Sequence, residues 1–201
     1  MALDTYVQTY WLCGDAFRCA FRYLAHANFD CLHSTRLLHV NTQMQYIHLY
    51  DARNYAGGAF SEMQVSSKDL QQAIQTQRVQ VPEGPISWKS ISFNASGNRM
   101  LVEADPGFAV VLDGFEGTVQ RVFAPPERGG KAPKQTIARF TPDDESVVVG
   151  TDAGTIDCWN IQTGTMVKTL EGHKGPVGAL ACNPKYAQIA SSCSNTCLWI
   201  W

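Results

Sequence analysis

Val147-Val-Val-Gly150-Thr-Asp-Ala-Gly154-Thr155-Ile-Asp-Cys-Trp159-Asn160 opens the stretch whose reading decides the fold. Gly164-Thr-Met-Val-Lys-Thr-Leu170-Glu-Gly172-His173 follows, then Val177-Gly-Ala-Leu-Ala-Cys182-Asn183-Pro184. Ile189-Ala-Ser-Ser192 and Cys197-Leu-Trp199-Ile-Trp201 close it. Each piece is a short, β-rich run, and most are followed by Gly, Asn, Asp, Ser or Pro. Short strands joined by tight turns have this composition. From Trp159 to Trp199 is 40 residues, and to Trp201 it is 42.

That spacing fits a repeat of ~40–45 residues. Trp159-Asn160 takes the Trp-Asp place that ends the third strand of a WD-repeat blade, and Gly172-His173 takes the Gly-His place that opens the next. The expected fold is therefore all-β, a WD-repeat β-propeller. Working outward, one blade is Thr136 to Phe140, Ser146 to Gly150, Thr155 to Asn160 and Thr165 to Leu170. The blade before it is Trp88 to Phe93, Arg99 to Val102, Phe108 to Asp113 and Thr118 to Phe123, with Asp113 at the strand-ending acidic place. Further upstream, Tyr46 to Asp51 alternates, and Tyr50-Asp51 takes the Trp-Asp place. The blades are expected at about 29–65, 86–123, 135–170 and 177–201, after an unmatched segment 1–28. Between the first two, the Gln-rich Ser66 to Pro85 is a linker in which Lys68 to Gln77 is expected to form one or two helical turns. The polar turns after Phe93, Phe140 and Cys182 recur at spacings of 47 and 42 residues.

Among candidate site residues, His173, a strand hydroxyl from Ser191 or Ser192, and the Trp199 indole are expected to form a buried hydrogen-bond network tying loop to strands. The structural motif set is Tyr50, Asp51, Asp113, Trp159, Asn160, Gly172, His173, Ser192 and Trp199. Asp152 stands one place early for the acidic residue usual in the turn before a blade's third strand, and Asn195 substitutes for it in the next blade. The Pro/Gly loop after Phe123 carries Arg128, Lys131 and Lys134; it is read first as a solvated loop, second as a contact for an acidic partner tail.

Composition excludes several classes. The chain has 201 residues, a net charge of −2 and 45% hydrophobic residues, enough for a sizeable core. The near-neutral balance gives no electrostatic drive toward nucleic acid, and no apolar run reaches the ~18 residues of a membrane span. Asp4, Asp15, Arg18 and Arg22 interrupt any secretory core in residues 1–27. The seven cysteines (13, 19, 31, 158, 182, 193 and 197) are odd in number and irregular, which suits free thiols in cytosol or nucleus. Cys13, Cys19, Cys31, His26 and His33 lack Cys-x-x-Cys spacing, so zinc is not expected. Neither Gly57-Gly58 nor Gly129-Gly130 has a Walker-type ending, and no nucleophile–base motif is found. No cofactor and no catalysis are expected.

Leu49-Tyr50-Asp51-Ala-Arg53-Asn-Tyr55-Ala-Gly-Gly58-Ala-Phe60 resembles a phrase distinctive of one WD-repeat family. Gly172-His173-Lys-Gly175-Pro176, Asn183-Pro184-Lys185, Ser191-Ser-Cys193-Ser194-Asn195 and Trp199 resemble that family's C-terminal repeat. It is the WD-repeat subunit shared by the COMPASS (Set-one) histone lysine methyltransferase complex and by phosphatase and cleavage–polyadenylation termination assemblies. The resemblance implies a non-catalytic nuclear scaffold whose partners are protein subunits of such complexes. It covers about Phe29 to Trp201, whereas family members have several blades before the Tyr-Asp segment. With roughly three and a half blades against the ~4–8 of a closed ring, the chain is expected to be a fragment or to be completed by a partner. A generic interaction module, a non-autonomous remnant and a propeller enzyme are the rival readings; the inner strands offer the last almost no polar residues.

Overall fold

The computed structural model describes residues 31–32, 36–41, 46–51, 54, 57–128, 134 and 136–200. The segment 1–28, Lys131 and Trp201 lie outside them, as do the side chains of Tyr50 and Asp51.

Fifteen strands and one helix are described. The first sheet is β1 (Cys31–Leu32), β2 (Arg36–Asn41), β3 (Tyr46–Asp51) and β4 (Ala59–Gln64). The second is β5 (Ser87–Phe93), β6 (Arg99–Asp105), β7 (Phe108–Asp113) and β8 (Val119–Phe123). The third is β9 (Thr136–Phe140), β10 (Ser146–Thr151), β11 (Thr155–Asn160) and β12 (Met166–Glu171). The last has three strands, β13 (Ala179–Cys182), β14 (Gln188–Ser192) and β15 (Thr196–Ile200). Every sheet is an antiparallel meander in chain order. The all-β expectation thus holds, and the described residues form four blades of the propeller kind.

Side-chain alternation explains why the middle strands read as continuous apolar runs. On β6, Met100, Val102 and Ala104 face the first sheet, while Leu101 faces the third. On β10, Val147 and Val149 face the second sheet and Val148 the last. Strands covered on both faces carry hydrophobic residues at every position. Three cores result, one in each gap between neighbouring sheets: Ile47 and Leu49 against Phe108 and Val110; Leu101 and Phe123 against Ala138 and Val147; Ile156 and Val148 against Leu180 and Ile189.

Two strands depart from expectation. β6 runs on to Asp105 rather than ending at Val102, because Glu103 is buried and paired across the gap. β13 begins at Ala179: the Val177 N–H instead donates to Thr151 O at 3.0 Å, pinning the loop to the third sheet.

The Gln-rich linker folds into α1 (Ser67–Gln77), longer than the one or two turns expected. Ser66 caps it, its side chain accepting from the Lys68 N–H, and Asp69 lies in the first turn. Leu70, Ala73 and Ile74 share one face and join the first core. Arg78, left-handed at φ 53°, ends it.

Candidate functional site

The loop between β12 and β13 carries Gly172 and His173. His173 is buried, and its Nε2 lies 2.6 Å from Ser191 Oγ on β14. Trp199 Nε1, on β15, donates to the same Ser191 Oγ at 2.7 Å. An oxygen that accepts the indole proton still has its own proton to give, and donor–acceptor matching directs it to Nε2. The imidazole proton then sits on Nδ1, facing Cys193 Sγ at 3.1 Å and Asn195 Oδ1 at 3.3 Å. The ring also meets Trp199 edge-on, with centroids 6.2 Å apart. Gly172 is required by close approach: a Cβ there would lie 2.7 Å from Trp199 Cη2. Gly154, at φ 82°, is required twice over, since a Cβ would also meet the His173 carbonyl oxygen.

The hydroxyl of this network is that of Ser191, not Ser192. On β14, Ile189 and Ser191 point into the core and Ala190 and Ser192 point away, so only one of the two serines can reach the ring. Ser192 contributes its carbonyl instead, accepting from the Gly178 N–H at 2.8 Å.

Asp113 and Asn160 occupy equivalent places and do the same work. Asp113 Oδ1 accepts the N–H groups of Phe115 and Glu116 at 2.8 and 2.9 Å. Asn160 Oδ1 accepts the Thr163 N–H at 2.9 Å. Each side chain closes the turn into its outer strand. Trp159 packs against Phe123 of the neighbouring sheet, with centroids 5.7 Å apart, and its buried Nε1 has no partner among the described residues.

The basic loop is corrected in part. Arg128 is half-buried: its guanidinium forks onto the carboxylate of Asp157, at 2.8 and 3.0 Å, and reaches Thr155 Oγ1. Asp157 has 0% side-chain exposure and also accepts from Thr169 Oγ1 at 2.9 Å. Arg128 is thus taken up within the chain rather than offered to a partner. Lys134 is exposed, and its backbone N–H donates to Asp152 Oδ2 at 3.2 Å.

Two carboxylates belong to no repeat motif yet hold central places. Asp157 lies mid-strand on β11, and Glu103 lies mid-strand on β6, paired with Arg139 at 2.6 Å and with the Ala138 N–H at 3.0 Å. The signal that exposes both is an acidic residue inside an apolar run, which a strand buried on both faces tolerates only when paired. A third, Asp144, reaches from the β9–β10 turn to the N–H groups of Ala95 and Ser96 at 2.8 and 2.9 Å. These contacts lock successive blades together.

Among the described residues no three His, Cys, Asp or Glu side chains converge as metal ligands. No helix among them is long and apolar enough to cross a membrane. Among the described residues the buried polar side chains named above are taken up in holding strands and turns.

A family model for the WD domain, G-beta repeat, matches residues 164–201. The chain is 28% identical over 155 residues to WD repeat-containing protein 82 of Drosophila melanogaster, 77% of this chain and 44% of that protein. It is 30% identical over 111 residues to Protein ANTHESIS POMOTING FACTOR 1 of Arabidopsis thaliana, 55% of this chain and 32% of the relative. It is 27% identical over 127 residues to COMPASS component SWD3 of Saccharomyces cerevisiae, 59% of this chain and 40% of the relative. The chain spans less than half the length of each of these relatives. The repeat match over residues 164–201, these similarities and the four antiparallel sheets packed face to face give this chain the fold of an incomplete WD-repeat β-propeller.

Proposed function

We propose that the protein is a non-catalytic scaffold subunit of a nuclear chromatin complex of the COMPASS kind, one that also serves transcription termination. The observation that carries this reading is the 155-residue similarity to WD repeat-containing protein 82, joined by the similarity to a relative named as a COMPASS component. The geometry supports the scaffold part. Among the described residues, the buried carboxylates are committed to Arg128, Arg139 and backbone amides, and His173 Nε2 to Ser191, so these polar side chains hold the fold together. Partners are protein subunits of a histone methyltransferase or a termination assembly, recognised by rim loops; Lys134 is an exposed cation on one of them. The test is affinity purification of the tagged chain from nuclear extract, assayed for histone H3 lysine methyltransferase activity. Co-elution of that activity with the chain supports the reading. A chain excluded from nuclei, or an eluate free of methyltransferase and termination subunits, refutes it.

A further inference from the structure

The β14–β15 hairpin places two thiols against one imidazole nitrogen. Cys193 Sγ lies 3.1 Å from His173 Nδ1, and Cys197 Sγ lies 4.0 Å from the same atom. Both cysteines are half-buried rather than sealed in a core. In its protonated form Cys193 donates to Asn195 Oδ1 at 2.7 Å. In its ionised form it faces donors: the Asn195 backbone N–H first, then the Ser194 hydroxyl and the His173 ring. These draw the thiol down from 9.0 to about 6, with desolvation opposing. Burial does the reverse elsewhere, pushing Cys158 up to about 12 and Cys182 to about 11. The ring can serve because its other nitrogen is held by Ser191, which fixes the proton on the side facing the sulfurs.

We propose that Cys193 is a modification site, a nucleophilic thiol activated by its hairpin and by His173, which peroxides oxidise and which Cys197 then resolves. The Cys193 thiolate attacks one oxygen of hydrogen peroxide; the S–O bond forms as the O–O bond breaks, and the departing hydroxide combines with the proton that Cys193 released on ionising and leaves as water. The Cys197 thiolate then attacks the sulfenic sulfur; the S–S bond forms, the S–O bond breaks, and hydroxide leaves with the proton Cys197 has lost as a second water. Two thiols give up two electrons, and one peroxide accepts them. The change removes the sulfur partner of His173 Nδ1, so oxidation bears on the network that holds the last blade.

The experiment uses the full chain, reduced, with iodoacetamide as probe and peptide mass mapping as readout. Cys193 is expected to alkylate about 100-fold or more faster than Cys182 at neutral pH, with a half-maximal rate near pH 6. His173→Gln is expected to move that midpoint upward; if this variant does not fold, the pH profile of the unaltered chain decides. One equivalent of hydrogen peroxide is expected to yield a Cys193–Cys197 linked peptide, and Cys197→Ser a sulfenic acid at Cys193 that dimedone traps. A midpoint near pH 9, or labelling no faster than at Cys182, overturns the activated thiol. Oxidation without the linked peptide overturns the resolving role of Cys197.

Discussion

Asp157 and His173 show how much a single buried polar group commands in this fold. Asp157 is enclosed on β11, with Arg128 as its countercharge. Removing one member of a buried pair leaves the other uncompensated, a loss of about 3–5 kcal/mol, whereas replacing both by apolar groups of similar volume is far milder. Arg128→Ala is therefore expected to lower the urea midpoint steeply. The double variant Arg128→Met with Asp157→Leu is expected to recover most of the loss; a double variant as weak as the single would show that the pair carries little. His173 differs in that it ties its own loop to two strands, β14 and β15. His173→Ala leaves the Ser191 hydroxyl proton without its acceptor and removes the ring that Trp199 meets edge-on, at about 1–3 kcal/mol. Chemical denaturation followed by tryptophan fluorescence measures it, and an unchanged midpoint would contradict the buried network.

Among the elements, α1 is placed where an outer strand would otherwise show a bare edge. The Gln77 side chain accepts the Val122 N–H at 3.0 Å and donates to Gln120 O at 3.3 Å, so a side-chain amide takes the place of the next strand's peptide along β8. Leu70, Ala73 and Ile74 hold the helix there by packing on the first core. Gln77→Ala is expected to speed amide hydrogen exchange at Val122 while leaving the β6–β7 amides protected, with about 1 kcal/mol lost overall. Equal exchange at Val122 in both proteins would mean that packing alone covers the strand.

At the scale of the molecule, each gap between neighbouring sheets is filled, and no other described strand covers the far face of the last sheet. Leu198 is 63% and Ile200 74% exposed there, beside the exposed Ala181 and Ala190. Burying a Leu or Ile side chain contributes about 1.5–3 kcal/mol, so a face with several such residues is drawn to any complementary surface. The purified 201-residue chain is expected to associate with rising concentration in light scattering. Leu198→Lys with Ile200→Lys, both on exposed positions, is expected to suppress that association without loss of β-type circular dichroism. A chain that stays monomeric across the concentration range would show that this face is covered.

What was legible in the sequence is what local rules control. Runs such as Val147 to Val149, bounded by glycines and polar turns, announce strands because period-2 alternation and turn chemistry act over a few residues. The Gly-His and Trp-Asn pairs at repeat spacing announced stacked blades for the same reason. The contacts that lock the blades were not legible, because they join residues far apart in the chain: Arg139 to Glu103 across 36 positions, Arg128 to Asp157 across 29. The apolar run of β6 stops at Val102, whereas the strand continues through Glu103, whose burial only the arrival of Arg139 from the next sheet makes tolerable. Ser191 and Ser192 are chemically alike, and only the register of β14 against β15 decides which one faces the imidazole. Pattern and period are properties of the chain, whereas the pairing of charges and the facing of a strand are properties of its packed neighbours.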